Sequence, residues 1–313
     1  MLYLKPDNNK AKTHFELYKQ KLLDRINVLL LNQQSADLSD FLNNLLTKSN
    51  DEVGSLFELI TASPSKMEEI INRLPSNFSI YKRPENTSLS EVFSIVYATD
   101  LDKVSHIDSV NIKTCPYCNQ NFIAIDQNGK GKHEIDHYYP QSSFPFLAMS
   151  YFNLIPSCRS CNTMFGGKGK TIPIKKDTSP FEYKIFNPYD LQVKQMSFHL
   201  EINSIDDIWR NRFNIDIEPS EQGNEYENIF NLKSIYKHHN DFVQEIYLKS
   251  IYLYSDRHKE QLNNWLIERN INPNQIELYR FLYGFYDGEE SFHLRPLSKM
   301  AADLLIDIEE LVL

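Results

Sequence analysis

Three motifs between residues 115 and 162 decide the fold: CPYC at 115–118, HEIDHYYP at 133–140 and FNLIPSCRSCN at 152–162. The first and third motifs each contain a CxxC pair, and together these pairs hold all four cysteines of the chain. Two residues between thiolates let both sulfurs of a pair reach one tetrahedral ion, and four thiolates complete its coordination shell. We therefore expect one structural Zn²⁺ ion, bound by Cys115, Cys118, Cys158 and Cys161.

The alternative for the cysteines is two unrelated buried pairs or two disulfides. Disulfides belong to oxidising compartments, whereas the N-terminal segment MLYLKPDNNK lacks the apolar core of a signal peptide. No apolar run in the sequence approaches the length of a membrane span. We therefore expect a cytoplasmic protein with reduced, zinc-loaded cysteines and no membrane association.

The segment between the two cysteine pairs is longer than in a compact zinc ribbon, so we expect it to fold as a unit. Ile135 alternates with polar neighbours, which predicts a short strand that Pro140 ends. The second pair opens a predicted short helix that ends at Gly166 and Gly167. Because Asn162 directly follows the last cysteine, the zinc site would fix its position.

These motifs resemble the HNH endonucleases of the ββα-metal superfamily, in which a hairpin and a helix hold one divalent cation at the scissile phosphate. By position, the resemblance implies that His137 is the general base and that Asp136 is a carboxylate ligand of the metal. It also implies that Asn153 orients the base through bonds to the backbone of the hairpin loop. Asn162 would supply the second protein ligand, a position that is histidine in many members, so this chain is an HNN variant. A carboxylate and an amide oxygen are hard ligands, which favour Mg²⁺ or Mn²⁺.

The chemistry of phosphodiester hydrolysis explains these residue types. A histidine can take a proton from water near neutral pH, provided that a hydrogen bond holds its other ring nitrogen. Arg159, Lys168 and Lys170 lie around the end of the predicted helix, where we expect them to contact phosphates beside the cut. A lysine-glycine run such as GGKGK is equally consistent with a soluble turn. Glu134 is expected to be solvated or to pair across the hairpin, and His133 to lie on the hairpin surface.

The charge distribution favours nucleic acid at this centre. Residues 102–184 contain ten lysines and arginines against seven aspartates and glutamates, a net charge of +3. Residues 201–313 contain eleven against twenty-one, a net charge of −10. The whole chain carries −9 with a pI near 5.5, so we expect weak, salt-sensitive affinity for a polyanion and a substrate grip that depends on a partner.

Outside the motifs the sequence is predicted to be mainly helical, because apolar residues recur at three- and four-residue spacing. SPSKMEEIINRL is expected to begin with a capping box at Ser65 and Glu68. Alternation in FEYKIFNPYD at 181–190 and in SFHLEIN at 197–203, with a turn at Asn187-Pro188, predicts a small hairpin that extends the nuclease sheet. The predicted class is α+β, a mainly helical chain with a central zinc-stapled ββα-metal nuclease core. We expect three regions: an N-terminal helical region at 1–101, the HNH core with its zinc site and following hairpin at 102–204, and an acidic C-terminal helical region at 205–313.

Residues 135–162 are also similar to the HNH subunit of Septu-type anti-phage systems. This resemblance implies an effector of bacterial defence with an ATPase partner subunit of the ABC/AAA type. Our main interpretation is a DNA endonuclease, and the alternatives are a ribonuclease, for example one that cleaves transfer RNA, and a non-catalytic zinc-binding module. The site acts on the phosphate and not on the sugar, so the sequence does not separate DNA from RNA. The complete set of base and metal ligands argues against the binding module.

Overall fold

The computed structural model describes residues 2–123, 133–164, 187–190, 197–204, 206–218, 230–253, 256–272 and 278–312. The chain divides into two compact units: residues 4–111 with 125–193, and residues 1–3 with 112–124 and 194–313. The described parts are mainly helical with two small sheets, so the predicted α+β class is confirmed. Both units combine separate stretches of the chain, and the three-region division along the sequence stays a prediction.

Within residues 2–123 the first unit contains six α-helices, of which the apolar spacing predicted the first five: α1 Asn8–Leu30, α2 Ala36–Thr47, α3 Leu56–Thr61, α4 Pro64–Arg73, α5 Pro84–Thr99 and α6 Lys103–Val110. Asp7 begins α1, where its carboxylate accepts from the first orphan amides of the helix. The buried side of α1 includes Phe15, Leu22 and Ile26, which recur at helical spacing and are at most 1% exposed. Burial of such apolar stripes stabilises these helices more than intrinsic propensity does.

The start of α4 differs from the predicted capping box. Ser63 is the N-cap, and its hydroxyl accepts from the Lys66 amide at 3.3 Å. Pro64 occupies the first helical position, where its fixed φ suits the helix and its missing N–H has no intrahelical role. The prediction of a cap at Ser65, with Glu68 as its partner, was therefore wrong by two residues.

The nuclease motif forms an antiparallel hairpin of β1 His133–His137 and β2 Leu154–Cys158. A π-helical turn, Ser160–Met164, follows β2. The predicted strand is confirmed, and a helical turn begins where the short helix was expected. The predicted end of that helix at Gly166 and Gly167 lies outside the described residues.

The loop between β1 and β2 is buried against the N-terminal helices of the same unit. Helix α5 packs on Pro145–Leu147, and α1 and α3 pack on Tyr151–Asn153. The Ser150 hydroxyl donates to a backbone carbonyl of α3 at 2.6 Å. Asn86 of α5 donates from Nδ2 to the Ser143 carbonyl at 3.3 Å. These helices therefore act as a scaffold that shapes the loop.

The second unit contains a separate hairpin of β3 Ser197–Glu201 and β4 Asn214–Glu218. Its described helices are α7 Asp206–Trp209, α8 Leu232–Tyr236, α9 Asn240–Leu248, α10 Asp256–Glu268, α11 Leu278–Tyr283 and α12 Ser298–Val312. Among the helices of the described ranges, none combines the length and apolar character that a membrane span requires.

The prediction that 181–190 and 197–203 form a hairpin on the nuclease sheet was wrong for its second segment, while residues 181–186 lie outside the described residues. Within the described residues, β3 pairs with β4 and shares no sheet with β1 or β2. The reason lies in α12, because Asp303 accepts from the Phe198 amide at 3.0 Å and Asp307 from the Leu200 amide at 2.9 Å. Side-chain carboxylates thus satisfy the strand amides that a further strand would otherwise pair.

Candidate active site and cysteine cluster

The four cysteines converge on one point. Their Sγ atoms all lie within 4.8 Å of one another, and all four side chains are buried. An ion with Zn–S distances of about 2.3 Å holds its four sulfurs about 3.8 Å apart, so the spread fits one tetrahedral ion. Two unrelated cysteine pairs would not produce this convergence. The cluster can therefore hold a metal ion.

The turn around the first cysteine pair supports thiolate sulfurs. The backbone N–H of Asn119 donates to the Cys115 carbonyl at 2.8 Å, which closes the turn. The Gln120 amide then donates to the Cys118 Sγ at 3.5 Å, and Asn121 Nδ2 lies 3.9 Å from the same sulfur. Hydrogen bonds to a charged form favour that form. The turn thus reduces the cost of a buried, metal-binding thiolate.

Asn119 also ties this turn to the end of the chain, a role that the sequence did not reveal. Its φ is +47°, in the left-handed region that asparagine tolerates better than most residues. Nδ2 donates to the Thr114 hydroxyl at 3.0 Å and to the Phe292 carbonyl at 2.9 Å. Oδ1 accepts from the Lys299 amide at 3.0 Å. The buried side-chain amide of Asn119 therefore connects the cysteine turn to the start of α12.

His137 ends β1, with its side chain buried. Its Nε2 lies 3.0 Å from the carbonyl oxygen of Ala148. Because a carbonyl only accepts, Nε2 carries the proton of this bond, and the neutral ring then has its lone pair on Nδ1. The loop carbonyl thus selects the tautomer and the orientation of the imidazole.

Tyr97 of α5 packs against this histidine and was not predicted from the sequence. The two rings meet edge to face with centroids 4.3 Å apart, and the Tyr97 hydroxyl donates to the Ile135 carbonyl at 3.4 Å. Burial, with the charges of Asp136 and Glu134, raises the pKa of Tyr97 to about 12. The tyrosine therefore stays protonated and packs against one side of the imidazole. No local pattern marks it, because it lies far upstream of the motif.

Asn153 is fully buried in the turn before β2. Its Oδ1 accepts from the Tyr139 amide at 2.7 Å. Its Nδ2 donates to the Tyr139 carbonyl at 3.2 Å and to the Leu147 carbonyl at 2.8 Å. Tyr139 lies just beyond His137, and Leu147 immediately precedes Ala148, so one side chain joins the two chain segments that position the imidazole. Its predicted catalytic role stays a prediction.

Two buried histidines hold the same turn from the helical side. His14 of α1 bonds the Met149 carbonyl through Nε2 at 3.0 Å, and His106 of α6 bonds the Leu154 carbonyl at 3.1 Å. Burial, and to a smaller extent the neighbouring His106, lowers the pKa of His14 to about 3. Burial lowers the pKa of His106 to about 4. Both rings are therefore neutral near physiological pH.

Asn162 and Asp136, the predicted metal ligands, lie on adjoining elements. Asn162 donates from Nδ2 to Glu134 Oε2 at 2.6 Å, which links the π-helical turn to β1. Asp136 follows Glu134 by two residues, on the same face of the strand, and is 7% exposed. Glu134, expected to be solvated or to pair across the hairpin, instead contacts a candidate ligand. The carboxylate of Asp136 and the amide oxygen of Asn162 form an oxygen donor set that fits a hard divalent cation.

The three predicted substrate contacts are only partly within the described residues. The Arg159 side chain is 76% exposed, with Nε 3.8 Å from Glu134 Oε1. Lys168 and Lys170 lie outside the described residues. Contact of all three with phosphate stays a prediction.

The geometry of hairpin, turn and cysteine cluster agrees with the class of protein that the sequence matches. Residues 115–167 match the family model for HNH endonuclease. This segment includes both cysteine pairs, both strands of the nuclease hairpin and the turn that follows. Residues 115–167 are therefore similar to an HNH endonuclease domain.

A relative extends the comparison beyond that domain. The chain is 31% identical over 116 residues to the Septu protein PtuB of Bacillus thuringiensis. The similarity covers 33% of this chain and 42% of that protein, so the chain spans less than half the length of this relative. No solved structure matches the chain significantly.

Proposed function

We propose that this protein is a metal-dependent endonuclease that hydrolyses phosphodiester bonds in DNA. The observation that carries the proposal is the set of contacts around His137. Its Nε2 is bonded to the Ala148 carbonyl, and Asn153 joins the chain segments on either side. With Nε2 engaged in this way, Nδ1 is the atom suited to take a proton from water. The HNH family match supports a nucleolytic role for a histidine held so.

In the proposed reaction Asp136 and Asn162 would hold Mg²⁺ or Mn²⁺. A cation bound there supplies stabilisation of the charge on the phosphate and on the leaving oxygen. His137 accepts the proton of the attacking water at Nδ1. Asn153 and Tyr97 prevent the imidazole from turning away, which keeps the base aligned through the reaction.

The cysteine cluster has a separate role in this proposal. Four thiolates leave no open position on Zn²⁺, so the ion they hold is structural. Arg159, Lys168 and Lys170 bind phosphates on either side of the cut and fix the register of the nucleic acid. In this proposal one ion stabilises the fold and a second ion takes part in the reaction.

The test is cleavage by the purified chain of supercoiled plasmid, single-stranded DNA and total transfer RNA. Each substrate is incubated with Mg²⁺, with Mn²⁺ or with EDTA. We expect nicking or linearisation of the plasmid with either cation and none with EDTA. His137→Ala should lower the rate about 10²- to 10⁴-fold, since it removes a general base.

The matched control is His238→Ala, which removes an exposed histidine outside the HNH domain and should leave the rate unchanged. Equal cleavage by His137→Ala and the wild type would contradict the proposal. Cleavage of transfer RNA alone would assign the ribonuclease function instead. Failure to cut any substrate, alone and with a co-expressed ATPase partner, would leave the non-catalytic zinc module as the better interpretation.

We further propose that the protein is an effector of bacterial anti-phage defence in the cytoplasm, acting with an ATPase partner subunit. The similarity to a Septu protein supports this role, and the net charge of −9 favours a partner that contributes to the grip on nucleic acid. The test is phage plating on cells that carry both genes. Protection should disappear when His137→Ala replaces the wild type, and protection that persists would contradict the effector role.

A further inference from the structure

Glu134 is the side chain that connects the two elements of the candidate metal site. It lies on β1 opposite Ser157 of β2, and its Oε2 accepts from Asn162 Nδ2 at 2.6 Å. Its other oxygen, Oε1, faces Arg159 at 3.8 Å. The side chain is 29% exposed, so it is partly shielded from solvent. Both carboxylate oxygens therefore have protein partners.

The contact with Glu134 fixes which end of the Asn162 side-chain amide faces β1. An asparagine amide has an NH₂ end that donates and an oxygen end that accepts, and the two ends are similar in size. A carboxylate only accepts, so Glu134 binds the NH₂ end. The amide oxygen of Asn162 must then point away from Glu134. Only this end of the amide can serve as a ligand for a hard cation.

Glu134 also lies near Asp136, the other predicted ligand of the cation. Glu134 and Asp136 are two residues apart on β1 and share one face of the strand. A cation bound by Asp136 therefore lies next to the residue that orients Asn162.

We infer that Glu134 is a positioning residue for the proposed reaction: it holds the amide of Asn162 with Oδ1 presented as a metal ligand. This inference rests on the proposed function. In this inference Glu134 acts through Asn162 and is not itself a ligand of the cation: its Oε2 accepts from Asn162 Nδ2, and its Oε1 lies 3.8 Å from Arg159 Nε. Groups that orient metal ligands in this way typically contribute about 10- to 100-fold to metal affinity.

The test is Mn²⁺ binding to the zinc-loaded full chain, measured by isothermal titration. Glu134→Ala should weaken Mn²⁺ binding about 10- to 100-fold. Glu134→Gln should bind nearly as well as the wild type, because its side-chain oxygen can still accept from Asn162. Glu134→Leu, which keeps bulk on the strand but lacks an acceptor, should behave like Glu134→Ala. Thermal melting of each variant checks that the hairpin is intact.

A double-mutant cycle separates positioning from direct ligation. In an Asn162→Ala background, Glu134→Ala should have no further effect on Mn²⁺ affinity, because there is no amide left to orient. A further loss in that background would show that Glu134 binds the cation directly and would overturn the inference. Wild-type affinity in both Glu134→Ala and Glu134→Leu would also overturn it. Glu91→Ala, at an exposed carboxylate of α5, is the control and should leave the affinity unchanged.

The outcome is distinguishable from failure of the proposed function. If the wild type binds Mn²⁺ and cuts DNA while the Glu134 variants match it, only the inference fails. If the wild type neither binds Mn²⁺ nor cuts, and Asp136→Ala changes nothing, the proposed function itself fails.

Discussion

At the scale of single residues, Asn153 fixes the loop on which the imidazole depends. Its side chain makes three hydrogen bonds, all to buried backbone groups of Tyr139 and Leu147. Asn153→Ala removes all three bonds, although the Leu147 carbonyl still accepts from the Ser150 amide at 3.1 Å. A buried group that loses its partner costs about 1–3 kcal/mol. We expect the variant to lower the free energy of unfolding by about 2–4 kcal/mol, as measured by urea denaturation.

Asn43→Ala is the control for this prediction, because Asn43 is exposed on α2. Surface substitutions of this kind change stability by less than about 0.5 kcal/mol. An equally small effect of Asn153→Ala would mean that the loop keeps its shape without the amide.

His14 and His106 give the fold a specific dependence on pH. Their pKa values in the folded chain are about 3 and about 4, against 6.5 for an unperturbed histidine. Below pH about 6.5 the unfolded chain takes up protons that the folded chain does not, so stability decreases as the pH falls toward 4, by up to about 1.4 kcal/mol per pH unit for each histidine. We expect the midpoint of urea denaturation to decrease as the pH is lowered from about 6.5 to about 5. Most carboxylates titrate below this range.

Replacement of a buried histidine by glutamine removes the titration and keeps a donor for the carbonyl. His106→Gln should therefore reduce the slope of stability against pH above pH about 5 to the part that His14 contributes, whatever its effect on stability at neutral pH. His238→Gln, at an exposed position, should leave the slope unchanged. Identical slopes for the wild type and His106→Gln would exclude His106 as the source.

At the scale of elements, the turn that carries the first cysteine pair depends on its contact with the start of α12. Asn119 supplies that contact through buried bonds to Thr114, Phe292 and Lys299. Asn119→Ala removes these bonds and places alanine at a left-handed backbone position, which costs about 1–2 kcal/mol. We expect the bound metal ion to be released to a chromogenic chelator at least about 10-fold faster, since about 1.4 kcal/mol corresponds to a factor of ten.

Asn111→Ala is the matched control. Asn111 has a φ of +59° at the end of α6 and is exposed, so it shares the backbone strain but not the buried bonds. Its metal release should match that of the wild type. Faster release from both variants would assign the effect to general loss of stability, and unchanged release from Asn119→Ala would show that the turn holds without α12.

Local sequence patterns predicted the individual elements of this fold better than they predicted which elements contact one another. The alternation around Ile135 predicted β1, and the two CxxC pairs predicted the cluster, because the two members of each pair are close in the sequence. The partner of β3 depends on the carboxylates of α12, which lie far away in the chain. For the same reason no pattern indicated Tyr97 beside His137. Glu134 could have been recognised, since it shares the face of β1 that carries Asp136.

At the scale of the whole molecule, the balance of charge limits how the chain can bind DNA. Its net charge is −9, and residues 201–313 alone carry −10 by count of charged side chains. A local group of cations is therefore expected to make the phosphate contacts, and the sequence predicts Arg159, Lys168 and Lys170 as that group. Three such contacts correspond to a slope of about −2.7 in a plot of log K against log salt concentration.

This slope is measurable with the His137→Ala chain, which binds without cutting, by fluorescence anisotropy between about 50 and 200 mM salt. Lys168→Ala should reduce the magnitude of the slope by about one, because one fewer counterion is released. Lys237→Ala removes an exposed cation outside the HNH domain and should leave the slope unchanged. If Lys237→Ala reduced the slope as much as Lys168→Ala, DNA would contact a surface beyond the HNH domain. A slope near −2.7 that only the predicted cations change would mean that the isolated chain contacts about three phosphates, all through residues of the HNH segment.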